Sequence, residues 1–421
     1  MGFGICCRLI DEFLQTRPQS DSLYLLFSTR DIKKSDDTLR RLNAHFQQTL
    51  KSANGRTPGA SLLLEPRVKL EGVQVDLTKL ITVKALAQQL LKRRQKIDGV
   101  VWNAGLAGWL GLNWFRAIRD VLTRPIEATT YPEFMKCDVG ALAPRQLAGY
   151  GKVHTFEEPR LGQVFTANVF GHYMLTHWLG PLMGPESRVV WIGSVSSFRE
   201  YFEVEDIQGF TALKAYEGSK RLTELLVISS ELPSTKPYTD SFLPSARSRN
   251  SSPAITKPKM YITHPGVVAT SISGLNAFIA IFMTIALYLA RLIGSPWHPI
   301  TPYKGAISAV YALISPDSQL PALEESDGKA KWGSACSVFG EERVARTEVD
   351  QWGYTGVVGA TKPSDAVRAK WPSYKGSATE EDRKDFETTA QNVWSQMETL
   401  RKDWEVRLGK VEVDDSAAAD V

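Results

Sequence analysis

Cysteine is scarce in this chain: 421 residues hold four, Cys6, Cys7, Cys137 and Cys336. They have neither the paired spacing of a zinc site nor the density of a disulfide framework, so reduced thiols in a cytosol-facing protein are expected. Histidine numbers six, and His172 and His177 fall on one predicted helix with no second ligand cluster at metal spacing; no metal is expected. A dominant sign of charge is also missing. Lys and Arg total 50 against 46 Asp and Glu, and no basic block alternates with aromatic residues, which excludes a nucleic-acid partner. The opening residues do not read as a secretory signal, because Asp11 and Glu12 interrupt the apolar stretch. Internal repeats are absent. So is a long hydrophobic run: "AFIAIFMTIALYLA" (Ala277–Ala290) falls short of the roughly 20 residues that cross a bilayer. Yet no face of this stretch is polar, as a helix packed on a protein surface requires. Arg291, Trp297 and His298 follow it in the manner of a membrane–water boundary. We therefore expect residues 275–293 to lie shallowly against a membrane, with a buried helix as the plainer alternative and a full span the third choice.

What is present is an alternation of strand and helix. Short apolar strands read from "SLYLLFSTR", "GVQVDL", "IDGVVWNAG", "SRVVWIGS" and "KMYITHPGVVAT". Between them stand helical patterns, such as the stretch whose Leu80, Val83, Leu86, Leu90 and Leu91 share one face, and "LGQVFTANVFGHYMLTHWLGPLM" and "AYEGSKRLTELLVISSEL". Strands separated by helices predict an α/β fold, a doubly wound, Rossmann-like parallel sheet with helices on both faces. The chain is longer than the roughly 250–300 residues at which one core stops growing. We expect a reductase-sized domain over 1–320, with an aperiodic insertion at 106–160 and a mobile loop at 234–257, and a partly helical extension over 321–421.

In a doubly wound sheet, ligands sit beyond the carboxyl ends of the strands. The polar residues that fall there are Ser28–Arg30, Asp76, Asn103–Gly105, Ser194 and His264–Thr270, joined by Asn168, Tyr216 and Lys220 on helices. Tyr216 and Lys220 are four residues apart, on one helix face. A free phenol has a pKa near 10, and a neighbouring ammonium favours its ionised form. Lowering that value by about three units corresponds to roughly 4 kcal/mol, enough to make a general acid for a carbonyl under reduction. Tyr-x-x-x-Lys alone also arises on exposed helices; Ser194 and Asn103-Ala104-Gly105, each ending a strand, give it company.

Together "WNAG", the order Ser194…Tyr216-x-x-x-Lys220, Asn168 and "HPGVVAT" resemble the short-chain dehydrogenase/reductase family over about residues 2–314. "VVWIGS", the long gap to "AYEGSK" and the insertion after "WNAG" are similar to the fungal 3-keto-steroid reductases of sterol synthesis. That resemblance implies an NADPH-dependent reduction of the 3-ketone of a sterol intermediate during C-4 demethylation. It places such an enzyme on the cytosolic face of the endoplasmic reticulum membrane or on a lipid droplet, alongside other C-4 demethylation enzymes. By the same resemblance Tyr216 protonates the ketone oxygen. Lys220 lowers the Tyr216 pKa and binds the nicotinamide ribose, Ser194 hydrogen-bonds the substrate oxygen, and Asn168 holds a water in a proton relay. Asn103, Ala104 and Gly105 line the adenosine side, Asp76 and Leu77 lie near the adenine, and Pro265, Gly266 and Thr270 contact the nicotinamide end.

An arginine after the second strand suits the 2′-phosphate of NADP, and Arg30 stands there, although Asp31 is adjacent. The family opens with a strand and Thr-Gly-x-x-x-Gly-x-Gly; Gly2 matches the last glycine, as a cofactor-binding residue, and "FGICCRLIDEF" the helix after it. The expectation is an incomplete gene reading, with the first strand and the phosphate-cradling loop upstream. Two other readings stay open: a reductase of another lipid carbonyl such as a retinoid, and a non-catalytic partner in a sterol-enzyme complex.

Overall fold

A computed structural model describes residues 1–147, 158–244, 257–270, 277–360 and 377–409. Among the described residues nine strands form three hydrogen-bonded groups. Strand β1 (Leu23–Thr29) pairs in parallel with β2 (Val68–Gln74), Leu23 opposite Val68 and Thr29 opposite Gln74. The main sheet has the order β3 (Gly99–Trp102), β6 (Arg188–Ile192), β7 (Lys259–His264), β8 (Lys331–Cys336), β9 (Glu342–Thr347). Its pairs are parallel except β8–β9. A small antiparallel pair, β4 (Trp109–Leu112) with β5 (Met135–Cys137), lies in the insertion. The expected α/β layering holds; the strictly parallel sheet does not, because β9 turns back along β8.

The helices are α1 (Gly2–Thr16), α2 (Ile32–Arg56), α3 (Ala60–Leu64), α4 (Leu80–Arg93), α5 (Trp114–Thr123), α6 (Pro125–Thr130), α7 (Gln163–Phe165) and α8 (Gly171–Leu179). They continue with α9 (Ala215–Ile228), α10 (Lys236–Phe242), α11 (Ala277–Leu292), α12 (Pro302–Gly305), α13 (Ile307–Ile314), α14 (Leu320–Asp327) and α15 (Glu380–Gly409). Successive residues of a strand point to opposite faces, and β6, buried along its whole length, divides its side chains accordingly. Val189 and Trp191 join a core with α4, α8, α9 and α15. Val190 and Ile192 join a second one with Ile5 and Leu9 of α1 and Ala309 and Val310 of α13.

Helix α1 follows its sequence pattern, with Ile5, Leu9, Ile10 and Phe13 buried. Gly4 is explained by contact: a β-carbon there would lie 2.5 Å from the backbone of Pro302. The insertion, aperiodic in sequence, contains β4, α5, α6 and β5. Helix α2, 25 residues long, stands where the apolar pattern predicts none, because most of its residues are polar and only Ser35, Leu42, Phe46 and Leu50 are buried. Strands β8 and β9, beyond residue 320, belong to the main sheet, and Phe386, Trp394, Met397 and Trp404 of α15 enter the larger core. Within the expected loop 234–257, residues 236–242 are α10 and 245–256 lie outside the described residues. Among the described residues no helix is long and apolar enough to cross a membrane.

Strands β1 and β3 carry no backbone hydrogen bond to each other, so the sheet is divided between them. They nevertheless share both cores: Leu25 and Val101 pack on one side, Leu26 and Val100 on the other.

Candidate active site

The end of β6 and the first turns of α9 build the site. Strand β6 stops at Ile192, and Gly193 follows where a β-carbon would lie 3.1 Å from Ile262. Ser194 then opens a turn in which its hydroxyl accepts from the Ser196 amide at 3.2 Å and meets the Ser196 hydroxyl at 3.0 Å. Helix α9 directs Tyr216 and Lys220 to this turn from one stripe. Lys220 is 6 % exposed, and its ammonium donates to the Ile192 carbonyl at 2.7 Å. That bond fixes α9 against the strand end immediately before Ser194.

Burial governs the titration of both groups. The Tyr216 phenol is pushed up to about 12 by burial and by the neighbouring Glu217 carboxyl, while a hydrogen bond with Ser194 acts the other way. Burial lowers the Lys220 ammonium to about 8. The expected lowering of Tyr216 by Lys220 is therefore not met. The ammonium lies 5.7 Å from the centre of the phenol ring and bonds to Ile192, and desolvation of the phenolate dominates. Trp109 of β4 covers the phenol edge-on at 5.7 Å between ring centres.

Asn168 stands in a π-turn (Thr166–Phe170) between α7 and α8, an irregularity common at functional positions. Its side chain clasps Leu106, accepting from the amide at 2.7 Å and donating to the carbonyl at 2.9 Å, and gives its other amide proton to the Ser219 hydroxyl at 3.0 Å. Both amide protons are thus engaged with protein. A β-carbon on Gly105 would lie 2.6 Å from the Asn168 side-chain oxygen, so glycine permits the clasp.

The other expected residues ring this centre. Gly2 lies beside Asn103, whose amide nitrogen would be 3.1 Å from a β-carbon on Gly2. Helix α1 starts there with no side-chain cap and no acid in its first turn. Ala104 is exposed. Asp76 accepts from the Thr78 amide and hydroxyl at 3.0 and 2.7 Å, and Leu77 is buried beside it. Arg30 is exposed at the end of β1, and the adjacent Asp31 caps α2 by accepting from the Lys34 amide at 2.8 Å. Pro265 and Gly266 follow β7; Gly266 has a φ of 66°, and a β-carbon there would lie 2.6 Å from the Trp297 carbonyl. Thr270 closes that described segment. His172 is a packing residue, stacked on Trp102 at 5.1 Å and lowered to about 3 by burial. His177 donates from Nδ1 to the Phe242 carbonyl at 2.5 Å and accepts at Nε2 from the Arg401 guanidinium at 3.0 Å.

Four residues of the site, Leu106, Ser219, Glu224 and Lys331, escape the sequence reading. Glu224 carries a readable signal, since it follows Tyr216 and Lys220 at the same helical interval. Lys331 carries none, because its place depends on β8 joining the sheet.

Comparison with known proteins gives relatives along most of the chain. The chain is 38% identical over 430 residues to the 3-keto-steroid reductase of Aspergillus fumigatus, covering 98% of this chain and 93% of that one. The Gibberella zeae 3-keto-steroid reductase is 32% identical, with 97% and 93% covered. That of Schizosaccharomyces pombe is 30% identical, with 83% and 88% covered. No family model matches.

Proposed function

Because this chain belongs to the short-chain dehydrogenase/reductase family, as a close relative of the fungal 3-keto-steroid reductases, we propose that it reduces the 3-ketone of a sterol intermediate to the 3-hydroxyl in C-4 demethylation. The observation that carries this reading is the convergence of Ser194, Tyr216 and Lys220 at one buried strand end. NADPH, when bound, supplies the hydride to the carbonyl carbon. The chain supports such a cofactor in one clear respect. Lys220 is a buried ammonium whose one hydrogen bond among the described residues is to Ile192, so further donors stay available for ribose hydroxyls. Gly2, Asn103 and the uncapped start of α1 favour a phosphate nearby, and Arg30 favours the extra phosphate of NADP.

Tyr216 is the proton donor. With its pKa at about 12 the phenol is protonated at neutral pH, the state that a reduction consumes. Ser194 hydrogen-bonds the same ketone oxygen and steadies the phenol. The Lys220 charge stabilises the phenolate left after transfer. Asn168 acts by holding Leu106 and Ser219, and so the loop and helix that flank Tyr216.

A lipid substrate agrees with the surface. Phe115, Ile118 and Leu122 of α5 are 82 %, 59 % and 79 % exposed, and Ile281, Phe282, Ile285 and Leu292 of α11 are also exposed. Both helices pack on α6. Apolar area of this kind marks an interaction face, and two helices with exposed apolar residues, both packed on α6, suit the surface of the endoplasmic reticulum or a lipid droplet. The test is product analysis with NADPH and a 3-keto sterol, in parallel with retinal. We expect the 3-hydroxysterol and a loss of about 10²–10⁴-fold in Tyr216→Phe. Reduction of retinal alone, or full activity in Tyr216→Phe, overturns the reading.

A further inference from the structure

Behind Ser194 lies a charge cluster to which the reaction assigns no part. Glu224 of α9 is 0 % exposed and Lys331 of β8 is 3 % exposed. The Lys331 ammonium donates to the Glu224 carboxylate at 2.5 Å, to the Ser194 carbonyl at 3.3 Å and to the Ser197 hydroxyl at 3.4 Å. The Ser197 hydroxyl reaches the Ser194 carbonyl at 2.8 Å and also contacts Glu224. Arg221 donates to the other Glu224 oxygen at 3.3 Å and to the Asp350 carbonyl at 3.1 Å. A buried ion pair of this kind contributes little net stability over an apolar pair, because desolvation offsets the attraction. Its value lies in geometry, and the geometry here converges on one peptide group.

We infer that the Glu224–Lys331 pair is a positioning device for Ser194, on the reading that Ser194 and Tyr216 serve carbonyl reduction. Tyr216, Lys220 and Glu224 form one stripe of α9, spanning about 12 Å. At its near end Lys220 grips the Ile192 carbonyl. At its far end Glu224, through Lys331 and Ser197, grips the Ser194 carbonyl. The helix that carries the proton donor is thereby clamped to the main chain on both sides of Gly193, and the Ser194 hydroxyl is held facing the phenol. Lys331 supplies this hold from a strand of the sheet, far from Ser194 in sequence.

The variant Glu224→Gln with Lys331→Met removes both charges of the pair, and Arg221 keeps its bonds to the Asp350 carbonyl and the Gln351 side-chain oxygen. Its steady-state kinetics with NADPH and a 3-keto sterol are compared with Ser194→Ala and with the triple variant. We expect kcat to fall by about tenfold or more with KM for NADPH nearly unchanged, and the triple variant to lie within about twofold of Ser194→Ala, because groups acting through one residue are not additive. Multiplicative losses overturn the inference. Lys329→Met is the control: Lys329 is another buried lysine, paired with the exposed Glu231 at 2.5 Å, with no contact to the Ser194 turn among the described residues. Its loss is expected to lower Tm and to multiply with Ser194→Ala. A crystal structure of the Glu224→Gln, Lys331→Met variant judges the inference without turnover: the Ser194 hydroxyl must be displaced relative to Tyr216 from its place in the wild-type chain, and an unmoved Ser194 refutes it. A wild-type chain that reduces no ketone overturns the proposed function, and the crystallographic result still decides the role of Lys331. Should that variant fail to fold, Lys331→Arg serves both measurements; full kcat with a displaced Ser194, or lost kcat with an unmoved one, refutes it equally.

Discussion

Tyr216 faces two opposing influences. Burial and Glu217 hold its proton on, whereas Ser194 favours its release. For reduction the first influence is useful, since the donor must arrive protonated, and the second helps the phenolate once the proton has gone. Lys220 then becomes the group that limits the pH range. Its ammonium, lowered to about 8 by burial, is charged below that value and neutral above it. We expect kcat/KM for reduction to fall as pH rises through about 8, because the charge that stabilises phenolate is lost. In Lys220→Arg, which keeps its charge across this range, the residual activity should show no such fall; an unchanged limb near pH 8 refutes the assignment. The stripe Tyr216–Lys220 and the turn at Ser194 are legible in the sequence because helical interval and strand ending are local properties. The direction of the Tyr216 shift is not. Proximity of an ammonium is written in the spacing, but the depth of burial depends on Trp109 and on cores assembled from distant segments.

Elements show the same division between local and non-local information. Helix α11 is legible, for its apolar run is unbroken. Helix α5 is not, although its exposed Phe115, Ile118 and Leu122 lie on one side and its only acid, Asp120, is buried against Arg119. Mixed apolar and basic residues in a short segment give no clear period, and the packing of α5 on α6, which also meets α11, is a tertiary property. The proposed contact with lipid adds α5 to the expected segment 275–293. Phe115→Asp combined with Ile285→Asp alters only exposed positions, 82 % and 59 %, so the fold should persist. We expect the full chain to sediment with phosphatidylcholine vesicles and the double variant to stay in the supernatant. Equal sedimentation would remove α5 and α11 from the membrane contact. The π-turn at Asn168 is equally hidden, since an extra residue in a helical turn leaves no mark on a hydrophobic pattern.

At the scale of the whole molecule, acid is the expected weakness. His172 and His298 are each lowered to about 3, and His264 lies well below its ordinary value, all by burial. In the unfolded chain each binds a proton near pH 6.5. Below that pH the unfolded state therefore binds more protons than the native state, and stability falls as pH falls, by about 1.4 kcal/mol per pH unit for each histidine. His45 is raised to about 10 and works in the opposite sense, adding stability below pH 6.5 that is lost as pH rises towards 10. Urea midpoints measured from about pH 7 to about pH 5 should drop steeply, and a flat profile would show that these rings are not buried neutral.

The alternating strands and helices make most of the fold readable, and the partly helical extension contains α15 as expected, while β8, β9 and the packing of α15 on the core are not readable, because their place rests on contacts between segments far apart in the chain. The break between β1 and β3 has its own consequence. A continuous ladder transmits cooperativity; side-chain packing across a seam transmits less of it. We therefore expect the corner made of β1, β2 and α2 to open before the main sheet does. Hydrogen–deuterium exchange should register it, with the amides of Leu23–Thr29 exchanging well before those of Val189–Ile192. Equal protection would mean that the seam melts as one with the sheet.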